Sequence, residues 1–302
     1  FGSSTLRRLK QILQVGFLGM SLATTGGVAA LALGIGGLGA ALKGKWPLIY
    51  WYFRLRQWGL PQLSELSVGD EPGAEKHLLV LGSSVAWGEG AEVPFPHGLG
   101  WAQLLAEVVR PMGITVHNKA MPWSNTAVWR WTTHNRMSSA DLAGYSIVML
   151  SLSLGNEGLA LCSEPAQMED VERRYLQDLR ASVDTLRAKM HPEARLVLGG
   201  PYPNDQYSEA HLQVLQRVVG ELRSWTEVDN VIDFLGPSLH AGDGRWIEGV
   251  TRDYSHPNKF GHEAMFKSLD LSACLGPHFQ PPQPTKGQSG DYNGDAGQSN
   301  SL

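Results

Sequence analysis

Cysteine is scarce in this chain: Cys162 and Cys274 are the only two among 302 residues, and they lack CxxC spacing. A disulfide framework and a thiolate metal site are therefore excluded as organising features, and each thiol reads as a buried apolar group. A surplus of either charge is also missing. Lys and Arg number 25 against 29 Asp and Glu, giving a formal net charge of -4 and a pI near 6.2. The basic footprint that nucleic-acid binding requires is absent, so nucleic acid is set aside as a partner.

Charge disappears altogether between Gln11 and Leu42, a stretch of Leu, Ala, Val and Gly. It is longer than the ~20 apolar residues that a membrane-spanning helix needs. Arg7, Arg8 and Lys10 precede it and Lys43, Lys45, Arg54 and Arg56 follow it, so the charge rule gives no orientation. Small residues recur every fourth position (Gly19, Ala23, Gly27; Gly26, Ala30, Gly34; Ala32, Gly36, Ala40), a spacing that admits a partner helix closely. The expectation is a single-pass transmembrane helix that contacts other membrane protein subunits. A cleavable signal peptide is the competing reading. The sequence begins at Phe1 and not at Met, which fits removal of an upstream leader on import into an organelle, with the mitochondrial inner membrane the preferred place; a fragment of a longer chain begins the same way.

What is present beyond that stretch divides into further segments. Trp46 to Arg54 is an aromatic cluster ending in a cation, expected at a membrane interface or against the domain. Ser67 to Lys76 is polar with Gly and Pro and marks a boundary. From His77 short apolar runs alternate with amphipathic ones, the pattern of a parallel sheet between helical layers. Strands are expected at 77–81, 114–117, 146–151, 195–198 and 231–234, with helices at 100–109, 126–135, 168–190, 209–225 and 259–269. Residues 277–302 are rich in Pro, Gln, Gly, Asn and Asp and form an extended polar tail, expected to order only on a partner surface. The division is thus a membrane anchor at 1–45, an interfacial linker at 46–76, an α/β domain at 77–276 and the tail.

In a parallel α/β sheet reactive groups gather beyond the carboxyl ends of the strands. The first expected strand runs into Gly82-Ser83-Ser84-Val85-Ala86-Trp87-Gly88, a small-residue turn that presents Ser84 at the head of a helix. Near the other end, Asp253-Tyr254-Ser255-His256 places a carboxylate and an imidazole three residues apart, a spacing that lets Asp253 orient His256 and His256 activate a hydroxyl. Gly-Ser turns also bind phosphate, and an Asp before a His also serves as a structural cap.

Taken together and in this order, these segments resemble the SGNH (GDSL-like) hydrolases over about residues 77 to 270. Leu81 to Gly88 is similar to that family's GDS-x-x-x-G block, and Asp253-Tyr254-Ser255-His256-Pro257-Asn258-Lys259-Phe260-Gly261-His262 is similar to its D-x-x-H-P-N-x-x-G-H block. The resemblance implies a flavodoxin-like three-layer α/β/α sandwich with about five parallel strands. It also implies a carboxylic ester hydrolase whose catalytic residues are Ser84, His256 and Asp253, with an oxyanion hole formed by Ser84, Asn156 and Trp123 (or Ser124 with a one-residue slip), and with no metal or organic cofactor. The expected substrate is an acyl or acetyl ester, lipids included because of the anchor.

The sequence departs from the family at three places. Ser83 stands where Asp is usual before the nucleophile, Leu154-Gly155-Asn156-Glu157 replaces G-x-N-D, and Trp123 occupies the position of the second block's glycine. A bulky residue there narrows the cleft, which raises the alternative of an inactive SGNH-like accessory subunit of an organellar membrane complex. His262 is expected to be structural, His97, His117 and His240 to be bystanders, and Trp87, Trp123, Trp129 and Trp131 to line an acyl or sugar site or to pack in the core.

Overall fold

The computed structural model describes residues 76–91 and 100–276. Five strands form one parallel sheet: β1 Lys76–Gly82, β2 Ile114–Asn118, β3 Ile147–Ser151, β4 Arg195–Gly199 and β5 Asn230–Ile232, in the order β2-β1-β3-β4-β5. The helices are α1 Ser84–Trp87, α2 Trp101–Val109, α3 Thr126–Asn135, α4 Ser139–Leu142, α5 Pro165–Lys189, α6 Glu209–Ser224, α7 Lys259–Lys267 and α8 Leu271–Leu275.

The central strands β1, β3 and β4 are largely apolar on both faces, as a sheet covered by helices on both sides requires. Alternate residues point to opposite layers. Leu79, Leu81, Val148, Leu150, Leu196 and Leu198 pack with Trp129 of α3, Tyr175 and Leu179 of α5 and Leu215 of α6. Leu78, Val80, Ile147, Met149 and Val197 pack on the other side with Trp101 and Leu105 of α2, Met265 of α7 and Cys274 of α8. The sandwich is therefore three-layered. Helix α5 shows how sequence selects a face: Met168, Val171, Tyr175, Leu179, Ser182, Val183 and Leu186 are its buried residues, spaced three or four apart to make one stripe.

Several expectations are adjusted. The last strand ends at Ile232, two residues short of Phe234; α4 and α8 add short helices, and α5 starts at Pro165. Cys274 is buried, but Cys162 is only half-buried against the core, because it follows a 3-10 turn at the layer's edge. Among the described residues no helix is long and apolar enough to cross a membrane; the expected anchor, interfacial linker and tail, with His97, lie outside them.

The order β2-β1-β3 brings the ends of three successive strands side by side. Chain direction reverses its progress across the sheet at β1, where the carboxyl ends leave a crevice. The segments after β1, β2 and β3 carry Ser84, Trp123 and Asn156 respectively.

Candidate active site

Gly82 ends β1 with φ 156°, and a Cβ there would lie 2.4 Å from the Ser151 carbonyl oxygen. Only glycine lets β1 turn this closely past β3. Ser84 follows as the first residue of α1 and is 5% exposed. Its N–H belongs to the first turn, where helical geometry supplies no acceptor.

The segment after β5 folds around Asp253. The Asp253 carboxylate accepts the backbone N–H groups of Ser255 and His256, both at 2.9 Å, an Asx-type turn that fixes the following imidazole. Arg252 N–H closes the loop by donating to the His256 carbonyl at 2.9 Å. Asn258 then caps α7, its Oδ1 accepting from Phe260 and Gly261 while its amide donates to the carbonyls of Gly249 and Thr251.

These two segments meet. His256 Nε2 lies 3.0 Å from Ser84 Oγ, and His256 Nδ1 lies 3.0 Å from both carboxylate oxygens of Asp253. Burial raises the Asp253 carboxyl pKa, but the Ser255 N–H and the neighbouring imidazole outweigh it and hold the group below its usual value, so it is an anion able to orient the ring. A second carboxylate, Glu89, stands 3.6 Å from His256 Nε2. Sequence spacing gave no reason to single out Glu89, because its proximity depends on the fold alone.

The second loop is tied to the nucleophile's turn through one carbonyl. Gly82 O accepts the N–H of Met121 at 2.8 Å and the Trp129 indole at 3.2 Å, while the single Ser124 hydroxyl proton lies between Met121 O at 2.7 Å and Gly82 O at 3.1 Å. Trp129 also donates to Ser124 Oγ at 2.9 Å and is fully buried, so it braces the loop from the core and does not line a substrate cleft. Met121-Pro122-Trp123-Ser124 is a tight turn closed by Ser124 N–H donating to Met121 O at 3.2 Å. Pro at the second position and a positive φ of 66° at Trp123 are the signature of a type II turn.

That turn distinguishes the two backbone amides. The Ser124 N–H is spent inside the turn, whereas the Trp123 N–H pairs with no acceptor among the described residues. The Trp123 side chain is 55% exposed, directed to solvent and not folded down onto the core. Asn156 sits in the 3-10 turn after β3, where its amide donates to the Ser124 carbonyl at 2.8 Å and keeps a second N–H. Its neighbour Glu157 accepts from the Thr126 N–H and hydroxyl at 2.7 and 2.8 Å, anchoring the start of α3. Burial pushes the Glu157 carboxyl up, against the pull of the Thr126 hydrogen bonds.

The remaining predicted residues fall outside the relay. Ser83 is fully buried, its hydroxyl 3.4 Å from Tyr202 OH, a neutral contact where an Asp would need a partner charge. His262 is buried with Trp101 N–H donating to its Nδ1 at 3.3 Å and its Nε2 donating to the Glu89 carbonyl at 3.0 Å. Burial lowers its pKa to about 4, so it is neutral and structural. His117 bonds Tyr145 at 2.9 Å, His240 accepts the Gly242 N–H, Trp87 packs partly buried at the core's edge, and Trp131 is exposed on α3. Among the described residues no group of His, Cys, Asp and Glu is arranged to hold a metal ion.

Solved structures share this architecture. A lipase, Lip_vut3, from a goat rumen metagenome superposes with a TM-score of 0.55 at 16% identity, over 68% of this chain and 100% of its own. TesA gives 0.50 at 18% identity, over 68% of this chain and 100% of its own. At these identities the likeness is one of fold. No curated protein matches the chain significantly in sequence. The profile of the GDSL-like lipase/acylhydrolase family, however, matches residues 80–264, a span that holds every one of the strand-end residues just described, and the chain therefore belongs to that family.

Proposed function

We propose that this chain hydrolyses carboxylic esters through Ser84, His256 and Asp253. The observation that carries the reading is the unbroken relay of 3.0 Å from Ser84 Oγ to His256 Nε2 and 3.0 Å from His256 Nδ1 to Asp253. His256 takes the Ser84 proton as the hydroxyl attacks the ester carbonyl, and returns it to the departing alkoxide. Asp253 holds the ring in the tautomer that leaves Nε2 as acceptor. Negative charge on the carbonyl oxygen is received by the N–H of Ser84, the N–H of Trp123 and the Asn156 amide. Water then enters along the same path and releases the acyl group.

The Trp123 geometry supports an active site over an inactive accessory domain, since its backbone keeps the left-handed conformation suited to glycine and its side chain is directed outward. The uncharged stretch Gln11 to Leu42 is long enough to anchor the hydrolase in a membrane, where it would act on lipid or other acyl and acetyl esters beside membrane partners.

Labelling of the detergent-extracted full chain by a fluorophosphonate tests this reading. Labelling lost in Ser84→Ala supports it. A folded wild-type chain that takes no label overturns it.

A further inference from the structure

We propose that Glu89 selects the alcohol half of the ester, favouring an alcohol that bears a positive charge over a neutral one of the same shape. The inference rests on the assignment of Ser84 and His256 given above. Glu89 Oε2 lies 3.6 Å from His256 Nε2, the same nitrogen that lies 3.0 Å from Ser84 Oγ. In acylation the proton on Nε2 passes to the departing alkoxide, so the alcohol oxygen must sit within hydrogen-bond reach of that nitrogen. The substituents of the alcohol then emerge beside Glu89.

The carboxylate is held at this place by its backbone. Its N–H donates to the Ser84 carbonyl at 2.9 Å, and its own carbonyl accepts from His262 Nε2 at 3.0 Å. The next residue, Gly90, has φ 100°, and a Cβ on it would lie 2.0 Å from the Pro257 carbonyl oxygen and 3.2 Å from His256 Cβ. Glycine thus brings the segment after α1 flush against the loop that carries the imidazole. Glu89 is no proton relay, because 3.6 Å exceeds hydrogen-bond distance.

Among the described residues the Glu89 charge has no neutralising partner when the imidazole is neutral. Among the described residues His256 is the sole ion-pair partner of Glu89. Asp253 lies across the ring, and Asp205, itself partly offset by Arg245, is close enough to Asp253 to interact with it electrostatically. A cation on the alcohol relieves this accumulation of negative charge, and an anion aggravates it. For a partly exposed carboxylate at such separations, screening leaves a preference on the order of tenfold.

The test compares two phosphonate thioesters that share one phosphonyl group and carry isosteric leaving groups, one ending in trimethylammonium and the other in tert-butyl. The rate of Ser84 phosphonylation in the full chain is divided by the rate with hydroxide, to remove intrinsic reactivity. The expected result is a normalised rate about tenfold higher for the cation in the wild type, a ratio that falls with added salt, persists in part in Glu89→Asp and collapses towards one in Glu89→Gln. A ratio near one in the wild type, or one unchanged in Glu89→Gln, overturns the inference while leaving Ser84 as nucleophile. Failure of both reagents to label folded wild type overturns the hydrolase reading and this inference with it. Should Glu89→Gln not fold, a wild-type ratio insensitive to salt between about 0.05 and 0.5 M refutes the proposal.

Discussion

The side-chain amide of Asn156 donates one hydrogen to the Ser124 carbonyl at 2.8 Å, and so its second hydrogen is aimed by a contact that exists before any substrate arrives. In the mechanism proposed above, replacing Asn156 with Ala removes both the aim and a donor to the oxyanion. The expected loss is roughly 10²- to 10³-fold in kcat, with KM little changed and Ser84 still slowly labelled by fluorophosphonate. Steady-state kinetics on a short acyl ester check it; an unaltered kcat would exclude Asn156 from the oxyanion hole.

Trp123 holds φ 66°, a conformation that costs a residue with a Cβ about 1 kcal/mol or more. Trp123→Gly and Trp123→Ala delete the same indole, but only the first removes the strain. The glycine variant should be the more stable of the two by roughly 1 kcal/mol, measured by chemical denaturation. Equal stabilities would mean that the strain at the positive φ is no larger than the extra chain entropy glycine loses on folding.

His262 is neutral in the fold, with a pKa lowered to about 4 by burial, whereas in the unfolded chain it titrates near 6.5. Between those values the unfolded state binds the extra proton, so stability is full above about 6.5 and declines as pH falls towards 4. The decline amounts to something on the order of 3 kcal/mol. His262→Asn should be less stable at neutral pH but should lack this component of the pH dependence. Denaturation curves at several pH values decide the matter.

Glu157 shows the opposite sign. Burial raises its carboxyl pKa, so the folded state holds the proton more tightly, and stability declines as pH rises through the ordinary carboxylate range towards the raised value. Glu157→Gln keeps the oxygen that accepts from Thr126 and has no charge to bury. Its stability should fall less than that of the wild type between pH 4 and 7, and the gap should close below the ordinary Glu range.

The parts of this structure that could be read from sequence are those set by local chemistry. Leu78 to Leu81 is a continuous apolar run and takes the doubly covered place in the sheet that such a run demands. Asp253 and His256 are three residues apart, so their contact is fixed by a single turn. What stayed hidden depends on contacts between distant segments. Trp129 read equally well as a cleft residue or a core residue, and only the arrival of Gly82, forty-seven positions away, at its indole decides for the core. Glu89 meets His256 because Gly90 lets two loops touch, and glycine in a loop announces no partner. Which of the Trp123 and Ser124 amides stays unpaired depends on the turn's own hydrogen bond, which takes the Ser124 amide.

The single carbonyl of Gly82, which takes the Met121 N–H and lies within reach of Ser124 Oγ and the Trp129 indole, couples the position of the Trp123 amide to that of the Ser84 hydroxyl. The loop that presents the Trp123 donor has no means of drifting from the turn that presents the Ser84 hydroxyl, because both are pinned to the same oxygen. In the mechanism proposed above, a shift of that one oxygen would therefore displace the nucleophile and an oxyanion donor together.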